Sequence, residues 1–283
     1  MIVKVAFPGE RGSFTELAAI EYFGDSEKFV CVPEFADVFE SVSSGACKYG
    51  VVPIENSSAG SIHQNYDSLL ESNLHITGEI MLRIGQFVIA NNGVKKKDVQ
   101  TIYSHPAAFS QCKEYFKKNP ALQKVQVPNT ALAVKKVKDE KLKNAAAIAS
   151  MQAAIDFEMN VIAENIEDNK WNTTRFIILS RKPERPAFTP VKTSVVFSMQ
   201  NIPGALFKCL AVFALRDIDL IKIESRPVHG KGFKYLFYLD FAGDINDPAL
   251  KNAVNNLQEI TSFYKHLGSY SCGRLAYPKY KKR

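Results

Sequence analysis

The stretch Asn172-Thr173-Thr174-Arg175-Phe176 leads directly into an apolar run that ends at Leu179. An uninterrupted apolar run of this kind predicts a buried β-strand. Polar side chains at the mouth of such a strand are held rigidly yet remain accessible from a cleft. The same pattern also fits a strand that simply carries a threonine and a solvated arginine. It becomes a candidate active-site segment if the rest of the chain supplies matching polar groups.

The chain has 283 residues, 46% of them hydrophobic and 23% charged, which suits two or three globular domains. No apolar run reaches the length of a transmembrane helix, and the one at residues 1–7 is too short for a secretion signal. We therefore expect no membrane association. The five cysteines are odd in number and widely spaced, which argues against a disulfide framework or a zinc site and favours a reducing cytoplasm. They are Cys31, Cys47, Cys112, Cys209 and Cys272.

The formal net charge of +7 is compatible with an anionic substrate, with nucleic acid, or with no particular partner. Much of the excess lies at residues 95–97 and 279–283, and such runs are typical of solvated faces and frayed ends. Aromatic residues do not interleave with the basic ones in a nucleic-acid-binding pattern. We therefore expect no nucleic-acid partner.

Upstream of the opening stretch, polar residues follow predicted strands at equivalent places. After the strand at residues 3–7, Ser13 and Glu16 form a capping-box pattern, which either caps a helix or leaves its first N–H groups for an anion. After the strand at residues 49–54 comes Glu55-Asn56-Ser57-Ser58-Ala59-Gly60, which is richer in hydrogen-bonding groups than a turn requires. These segments, like the opening stretch, are candidates for the wall of one cleft.

A further polar segment, Ser104-His105-Pro106, follows the predicted strand at residues 101–103. The proline predicts a helix start, with Gln111 and Cys112 on that helix. A single histidine before a proline is more often a structural hydrogen-bonding group than a general base, so His105 is not assigned a catalytic role. Cys112 is expected to be a small buried residue.

The alternation of strands and helices up to residue 163 predicts an α/β architecture with mostly parallel sheets and a cleft between two lobes. Residues 74–90 are expected to cross between the lobes. The helices are predicted at 13–22, 35–43, 62–70 and from 129, and further strands at 125–127, 145–149 and 161–163.

The proline-rich segment at residues 182–190 predicts a linker. Beyond it the pattern is strand, helix, strand, strand, helix, strand, which is typical of a ferredoxin-like βαββαβ module. The predicted strands are 193–199, 218–223, 233–241 and one after residue 260, and the helices are 204–216 and 248–260. We therefore assign residues 1–183 to a first domain with two α/β lobes and a cleft, 184–191 to a linker and 192–283 to the second domain.

Over nearly its whole length the chain resembles the prephenate dehydratase family with a C-terminal ACT regulatory domain. The resemblance rests on motifs that occur in the family's order. They are Gly50-Val51-Val52-Pro53-Ile54-Glu55-Asn56-Ser57 with Gly60, Ser104-His105-Pro106 with Gln111-Cys112, Asn172 with Thr174-Arg175-Phe176, Gly204-Ala205-Leu206, and Glu224-Ser225-Arg226-Pro227. The implied fold class is α/β, with a two-lobed periplasmic-binding-protein-like catalytic domain followed by a C-terminal ferredoxin-like ACT domain.

The resemblance implies that prephenate loses its ring hydroxyl and ring carboxylate to give phenylpyruvate, on the way to phenylalanine. Aromatisation drives this reaction, so no metal, flavin or nucleotide cofactor is expected. The family's pattern makes Thr174 the catalytic hydroxyl, supported by neighbours that stabilise charge in a water-poor cleft. The substrate-binding residues it implies, together with candidates adjacent to its motifs, are Glu55, Asn56, Ser57, Ser104, Gln111, Thr173 and Arg175. Arg175 is a candidate partner for a substrate carboxylate, and Glu55 is a candidate for orienting its loop.

The ACT part resembles modules that bind an amino acid between subunits. It implies an L-phenylalanine site formed by Gly204, Ala205 and Leu206 with Glu224, Ser225, Arg226 and Pro227, feedback regulation through that site, and a homodimer or homotetramer. A dimerisation module without a ligand is the alternative. Asp219 departs from the family, which often has asparagine there, and an added carboxylate would weaken or alter effector binding.

Two other activities remain open from the sequence. Arogenate, the aminated analogue of prephenate, is an alternative substrate that the cleft motifs do not separate from prephenate. A solute-binding protein or a non-catalytic amino-acid sensor is the other alternative. The absence of a secretion signal opposes the first of these, and the presence of Thr174, Asn56 and Gln111 opposes the second.

Overall fold

The computed structural model describes residues 2–227 and 235–282, which form two compact units. Unit 1 contains the residues up to Tyr66, Ile80–Ile177 and the residues from Arg274 onward, and unit 2 contains Asp67–Glu79 and Ile178–Gly273. No helix in these described ranges is long and apolar enough to cross a membrane. The five cysteines are free thiols.

The strands, in chain order, are β1 (Lys4–Pro8), β2 (Lys28–Val32), β3 (Tyr49–Asn56), β4 (Gly60–Ser61), β5 (His75–Arg83), β6 (Phe87–Ala90), β7 (Thr101–Ser104), β8 (Gln123–Gln126), β9 (Ala145–Ala149), β10 (Asn160–Ala163), β11 (Thr173–Ser180), β12 (Val191–Ser198), β13 (Leu220–Pro227), β14 (Tyr235–Ala242), β15 (Phe263–Ser271) and β16 (Leu275–Ala276). The helices are α1 (Phe14–Phe23), α2 (Phe35–Ser43), α3 (His63–Glu71), α4 (Pro106–Ser110), α5 (Lys113–Lys118), α6 (Thr130–Asp139), α7 (Met151–Asp156), α8 (Ala205–Ala214) and α9 (Pro248–Ile260).

The first lobe of unit 1 is built on a sheet with the strand order β16-β5-β11-β3-β1-β2, and β4 pairs with β3. Strand β1 lies between β2 and β3 and is parallel to both. Helices α1 and α2 pack against β1 and β3. Strands covered in this way read as continuous apolar runs, and from Val5 to Pro8 every residue of β1 is buried.

The second lobe of unit 1 is a sheet with the order β10-β6-β9-β7-β8. Strand β7 is parallel to β8 and β9, whereas β6 is antiparallel to β9 and β10. The sheet is therefore mixed, and the expectation of mostly parallel sheets was wrong for this lobe. Strand β9 consists of alanines and one isoleucine, all buried, and α6 packs on it. The predicted crossing within residues 74–90 is confirmed, because β5 belongs to the first sheet and β6 to the second.

Unit 2 contains the predicted βαββαβ module, with the antiparallel strand order β13-β14-β12-β15. Its core joins both helices to one face of the sheet through Phe213, Phe241 and Leu257, among other apolar residues. Two residues of the predicted strand at 233–241 lie outside the described residues, and β14 is described from Tyr235. The α/β class with a βαββαβ module is thus confirmed.

Unit 2 also includes the segment Asp67–Glu79, which comes from the end of α3 and the start of β5. Lys265 donates from Nζ to the carbonyls of Leu69 and Leu70 at 2.9 and 2.8 Å, and to that of Ser72. A cation at the carboxyl end of a helix satisfies its free carbonyls. A Cβ on Gly268 would lie 2.0 Å from the carbonyl oxygen of Ile76, so only glycine allows this approach. The segment is firmly attached to the sheet of unit 2.

Several local expectations need correction. Glu55 and Asn56 belong to β3 rather than to the loop after it, and Thr173 already lies in β11. The helix that begins at Pro106 ends at Ser110, so Gln111 and Cys112 lie between α4 and α5. Helix α7 was not predicted.

The basic tail is not frayed throughout. The backbone of Lys281 forms two hydrogen bonds with the side-chain amide of Gln152, at 3.0 and 2.7 Å. The ring of Tyr280 packs edge-on against Phe87, with the ring centroids 6.2 Å apart. The residues before Arg283 therefore return to unit 1 and bind it.

Candidate active site

Unit 1 contains a cavity of about 420 Å³ whose wall is formed by both lobes. Most of the wall is apolar or carries uncharged polar groups. Among the described residues that line it, Glu34 is the one with a formal charge at neutral pH. The polar side chains on the wall are Ser13, Thr15, Glu34, Asn56, Gln86, His105, Gln111, Asn129, Thr130 and Thr174.

Strand alternation decides which residues of the opening stretch reach this cavity. Successive side chains of a strand point to opposite faces, and in β11 Thr174 and Phe176 line the cavity. Thr173 and Arg175 are not on the cavity wall. The Arg175 guanidinium lies 3.8 Å from the Glu55 carboxylate of the neighbouring strand. Its assignment as a partner for a substrate carboxylate stays a prediction.

Three side-chain amides form a hydrogen-bonded ring beside Thr174. Asn56 Nδ2 donates to Asn172 Oδ1 at 2.8 Å, and Asn172 Nδ2 donates to Gln111 Oε1 at 2.9 Å. Gln111 Nε2 closes the ring on Asn56 Oδ1 at 3.4 Å. The three side chains are buried, so each lost bond would leave a polar group without water. The structure therefore brings Asn56, Gln111 and Thr174 together.

The direction of this ring is fixed by the backbone. The N–H groups of Ser58 and Ala59 point at Asn56 Oδ1 from 2.9 and 2.8 Å. A backbone N–H can only donate, so the atom it faces must be the amide oxygen, and Asn56 Nδ2 must face the other way. That nitrogen also donates to Thr174 Oγ1 at 2.9 Å. Because Oγ1 accepts this bond, the threonine hydroxyl has its own proton available for a group in the cavity.

A further amide, Gln86, extends the network and was not found from the sequence. Gln86 Nε2 donates to Gln111 Oε1 at 3.0 Å. Its backbone N–H donates to Glu167 Oε2 at 2.8 Å, and Glu167 pairs with Arg83 at 2.6 Å. Polar residues were sought only at the carboxyl ends of strands. Because β6 is antiparallel to β9, the amino end of β6 next to Gln86 lies at the same edge of the sheet as the carboxyl end of β9.

Helices α1, α2 and α6 begin at the cavity wall, each with its N-terminal residues among the lining. The Ser13 hydroxyl accepts the N–H of Glu16 at 3.3 Å, and Asn129 Oδ1 accepts the N–H of Leu132 at 2.7 Å. The Glu16 carboxylate accepts the backbone N–H of Gly12 at 2.7 Å. This N–H lies one residue before that of Ser13, which a capping box uses. The positive ends of helices favour anions, so the cavity attracts negative charge without a lysine or arginine among its described lining residues.

His105 also lines the cavity, and burial lowers the pKa of its imidazole. Its Nδ1 accepts the N–H of Ala107 at 3.1 Å, which leaves Nε2 as the protonated nitrogen of the neutral ring. Burial raises the pKa of the Cys112 thiol, which is the main cause, and the Asp168 and Glu167 carboxylates raise it further. Cys112 is therefore an inert thiol in the core.

The other predicted substrate-binding residues have structural partners. The Ser104 hydroxyl is buried and donates to the carbonyl of Ile148 at 2.7 Å. The Ser57 N–H donates to the Thr173 carbonyl at 2.9 Å, and the Thr173 N–H donates to the Ser57 hydroxyl at 3.0 Å. These two bonds join the end of β3 to the start of β11. None of these three residues lines the cavity.

In unit 2, Gly204 precedes α8 with a φ of +77°, and a Cβ built there would meet open space. Arg226 is buried, and its Nη2 donates to Asp67 Oδ2 at 3.0 Å. Glu224 lies 3.5 Å from Lys222. The roles of the two predicted effector segments, residues 204–206 and 224–227, stay predictions.

The fold and the cavity define an α/β enzyme with two lobes and an appended ACT module. Residues 5–184 match the family model for prephenate dehydratase, and residues 193–259 match the model for the ACT domain. The chain therefore belongs to the prephenate dehydratase family and is a carbon–oxygen lyase.

Named relatives extend over nearly the whole chain. It is 44% identical to arogenate dehydratase/prephenate dehydratase 2, chloroplastic, of Arabidopsis thaliana, over 95% of the chain and 72% of the relative. It is 38% identical to the bifunctional chorismate mutase/prephenate dehydratase of Aquifex aeolicus, over 95% and 73%. The crystal structure of prephenate dehydratase from Arthrobacter aurescens in complex with L-Phe matches with a TM-score of 0.88 and 31% identity, over 95% and 90%.

Proposed function

We propose that the cavity of unit 1 converts prephenate to phenylpyruvate, carbon dioxide and water. The observation that carries this proposal is the bond from Asn56 Nδ2 to Thr174 Oγ1 at 2.9 Å, which leaves the threonine proton for the departing hydroxyl. The wall around it supplies uncharged donors and helix N-termini, which suit an anionic substrate. The names of the relatives support the same reaction.

In this mechanism the bond from the ring to its carboxylate breaks, and the electron pair enters the ring. The carbon–oxygen bond on the opposite side of the ring breaks at the same time, so carbon dioxide and hydroxide depart and the ring becomes aromatic. Thr174 donates a hydrogen bond or its proton to the departing oxygen. One proton from the solvent then converts the hydroxide to water or, where Thr174 has given its own proton, restores the Thr174 hydroxyl. A free threonine is too weak an acid for this, so the Asn56 donor must stabilise the charge that develops on Oγ1.

Arogenate is the second candidate substrate, and a specific residue favours it. Glu34 lines the cavity at the start of α2, and its carboxylate complements the ammonium group that arogenate has and prephenate lacks. The relatives named for both substrates fit either choice. We expect Glu34→Gln to raise the ratio of prephenate to arogenate turnover.

We propose that L-phenylalanine regulates the enzyme through the ACT module, at residues 204–206 and 224–227. The open space next to Gly204 supports a ligand near the start of α8. The crystal structure of the Arthrobacter aurescens relative is a complex with L-Phe, which supports the same effector here. Asp219 remains a candidate modifier of the response.

We propose a homodimer or homotetramer formed through the ACT module. Strand β13 is at the edge of its sheet, and its residues Ile221 and Ile223 are each 45% exposed. An exposed apolar edge strand is a common site of pairing between chains. We also propose a cytoplasmic location, which is supported by the exposed free thiol of Cys31.

A side-by-side assay tests the reaction. Purified enzyme is incubated with prephenate or with arogenate, and phenylpyruvate and phenylalanine are quantified against enzyme-free blanks. Formation of phenylpyruvate from prephenate at rates above the blank supports the main proposal. Turnover of arogenate only would replace prephenate by the second candidate, and turnover of neither would overturn both.

A further inference from the structure

Gln86 lies in the wall of the cavity and is 2% exposed, yet it belongs to none of the sequence motifs. Its side-chain nitrogen donates to Gln111 Oε1 at 3.0 Å, whereas its own Oε1 has no hydrogen-bond partner in the described part of the chain. The bond to Gln111 is therefore the hydrogen bond that orients this buried side chain, and losing it would leave a second polar atom unpaired.

The donor matters because it adds to the bond from Asn172 Nδ2 at 2.9 Å, the other hydrogen bond that holds the Gln111 oxygen, whereas the Gln111 nitrogen is weakly held. Gln111 Nε2 reaches Asn56 Oδ1 at 3.4 Å, which is a long hydrogen bond. If the Gln111 amide turned over, its oxygen would face Asn56 Oδ1, and its NH₂ group would face the N–H donors of Asn172 and Gln86. The backbone N–H groups of Ser58 and Ala59 fix the orientation of the Asn56 amide. Gln86 helps to fix the orientation of the Gln111 amide.

Gln86 is itself held by a buried ion pair. The Glu167 carboxylate accepts its backbone N–H at 2.8 Å and the Arg83 guanidinium at 2.6 Å. Arg83 also donates to the carbonyl of Asn172 at 3.2 Å. The ion pair is thus bonded to the backbones of Gln86 and Asn172. The side-chain amides of these two residues both donate to Gln111 Oε1. The pair is largely buried, so its hydrogen bonds to these two backbones are little exposed to competition from water.

We propose that Gln86 is a positioning residue for the dehydration, which holds the Gln111 amide and through it the donor ring that directs the Thr174 hydroxyl into the cavity. This inference rests on the proposed function. Gln86 acts through Gln111 and does not need to touch the substrate.

Two substitutions separate a positioning role from a merely structural one. Gln86→Met keeps the size of the side chain and removes the donor, so we expect kcat to fall about 10-fold or more with a smaller change in KM. Gln86→Glu presents an acceptor to Gln111 Oε1 when ionised and a donor when protonated. Its kcat relative to the native enzyme should fall about 10-fold or more near pH 8 and recover as the pH is lowered.

The charged and titratable groups near position 86 favour this readout. Glu167 and burial would both raise the pKa of the introduced carboxyl, whereas Arg83 would lower it. Glu34 and His105 on the same cavity wall and Tyr280 beside Phe87 are further titratable groups. The matched control is Gln152→Glu, which alters another buried glutamine, bonded to Asp156 and Lys281. Its kcat should stay within about twofold of the native value at each pH.

Thermal unfolding of each variant shows whether the fold is retained. The proposal is overturned if folded Gln86→Met keeps kcat within about twofold of the native value, or if the relative kcat of Gln86→Glu does not change with pH. If the native enzyme turns over neither substrate, the proposed function fails but this inference is still decided. Hydrogen exchange of the Asn56 and Asn172 side-chain amides, followed by NMR, should then be faster in Gln86→Met than in the native protein, and equal rates would overturn it.

Discussion

Arg226 Nη2 donates to Asp67 Oδ2 at 3.0 Å, so the predicted effector segment is joined to helix α3. Helix α3 begins two residues after β4, whose Gly60 and Ser61 pair with Asn56 and Glu55. A continuous stretch of backbone, residues 56–67, therefore joins Asn56, which donates to Thr174, to the ion-pair partner of Arg226. Arg226 Nη1 is buried without a hydrogen-bond partner among the described residues, so the bond from Nη2 to Asp67 is what joins this guanidinium to α3.

We predict that Asp67→Asn weakens feedback regulation. The substitution removes the charge that pairs with Arg226, and inhibition by L-phenylalanine should require about 10-fold more effector. Basal kcat should stay within about twofold of the native value, because Asp67 is not on the cavity wall. Inhibition curves with and without phenylalanine measure both. Glu71→Gln, which neutralises an exposed carboxylate at the end of the same helix, is the control. Unchanged inhibition by L-phenylalanine in Asp67→Asn would show that this ion pair plays no part in regulation.

We predict that Asn56→Asp nearly abolishes turnover while the protein stays folded. A carboxylate still accepts the N–H groups of Ser58 and Ala59, but its second oxygen replaces the donor to Thr174. The threonine proton would then bond to the carboxylate instead of the substrate, so kcat should fall about 10²-fold or more. Steady-state kinetics and thermal unfolding measure the two effects. A folded variant with native kcat would mean that the direction of this bond is irrelevant.

We predict that Tyr280→Ala destabilises unit 1 by about 2 kcal/mol in the free energy of unfolding. Tyr280 packs on Phe87, and burial, the main cause, raises the pKa of its phenol to about 12. Tyr277→Ala is the matched control, because Tyr277 is 59% exposed, and it should cost less than about 0.5 kcal/mol. Denaturant unfolding provides both values. Equal effects of the two substitutions would show that the tail is not part of the packed structure.

A deletion of everything after Pro190 would also remove this tail and β16, so it cannot isolate the regulatory module.

We predict that protonation of His105 contributes to acid destabilisation. Burial lowers the pKa of His105 below its ordinary value, so the unfolded chain binds the proton more readily than the folded chain. The free energy of unfolding should therefore fall as the pH drops below about 6.5, and His75 and His266, whose pKa values burial also lowers, should add to this slope. His105→Asn keeps an N-cap acceptor and does not titrate, so its stability should change less between about pH 7.5 and 5.5. An identical slope in the variant would contradict the prediction.

Much of the fold follows from local pattern. The bounds of α2 and α9 agree with the predicted residues, because each apolar face repeats with helical periodicity and ends near polar residues. The helix after Pro106 was predicted to include Gln111 and Cys112, but it ends at Ser110. The Asp168 carboxylate accepts the N–H groups of Lys113 and Glu114 at 2.8 and 3.0 Å, so a new helix begins at Lys113. A cap supplied from more than fifty residues away leaves no local signal.

The sequence likewise identified only those residues of the candidate site that carry a local signal. Asn56, Gln111 and Thr174 could be proposed from strand ends and the family resemblance, and the structure brings them together. Gln86 could not, because its role depends on the antiparallel pairing of β6 with β9. Sequence also gives no means to place Arg175 opposite Glu55, since that depends on which face of β11 meets the cavity.

The most direct test of the account is the kcat of Thr174→Val with prephenate. Valine keeps the shape of threonine and removes the hydroxyl that Asn56 directs into the cavity. We predict a fall in kcat of about 10²-fold or more, with KM changed less than about threefold and the fold retained. A folded Thr174→Val enzyme that forms phenylpyruvate at the native rate would contradict the assignment of the catalytic hydroxyl.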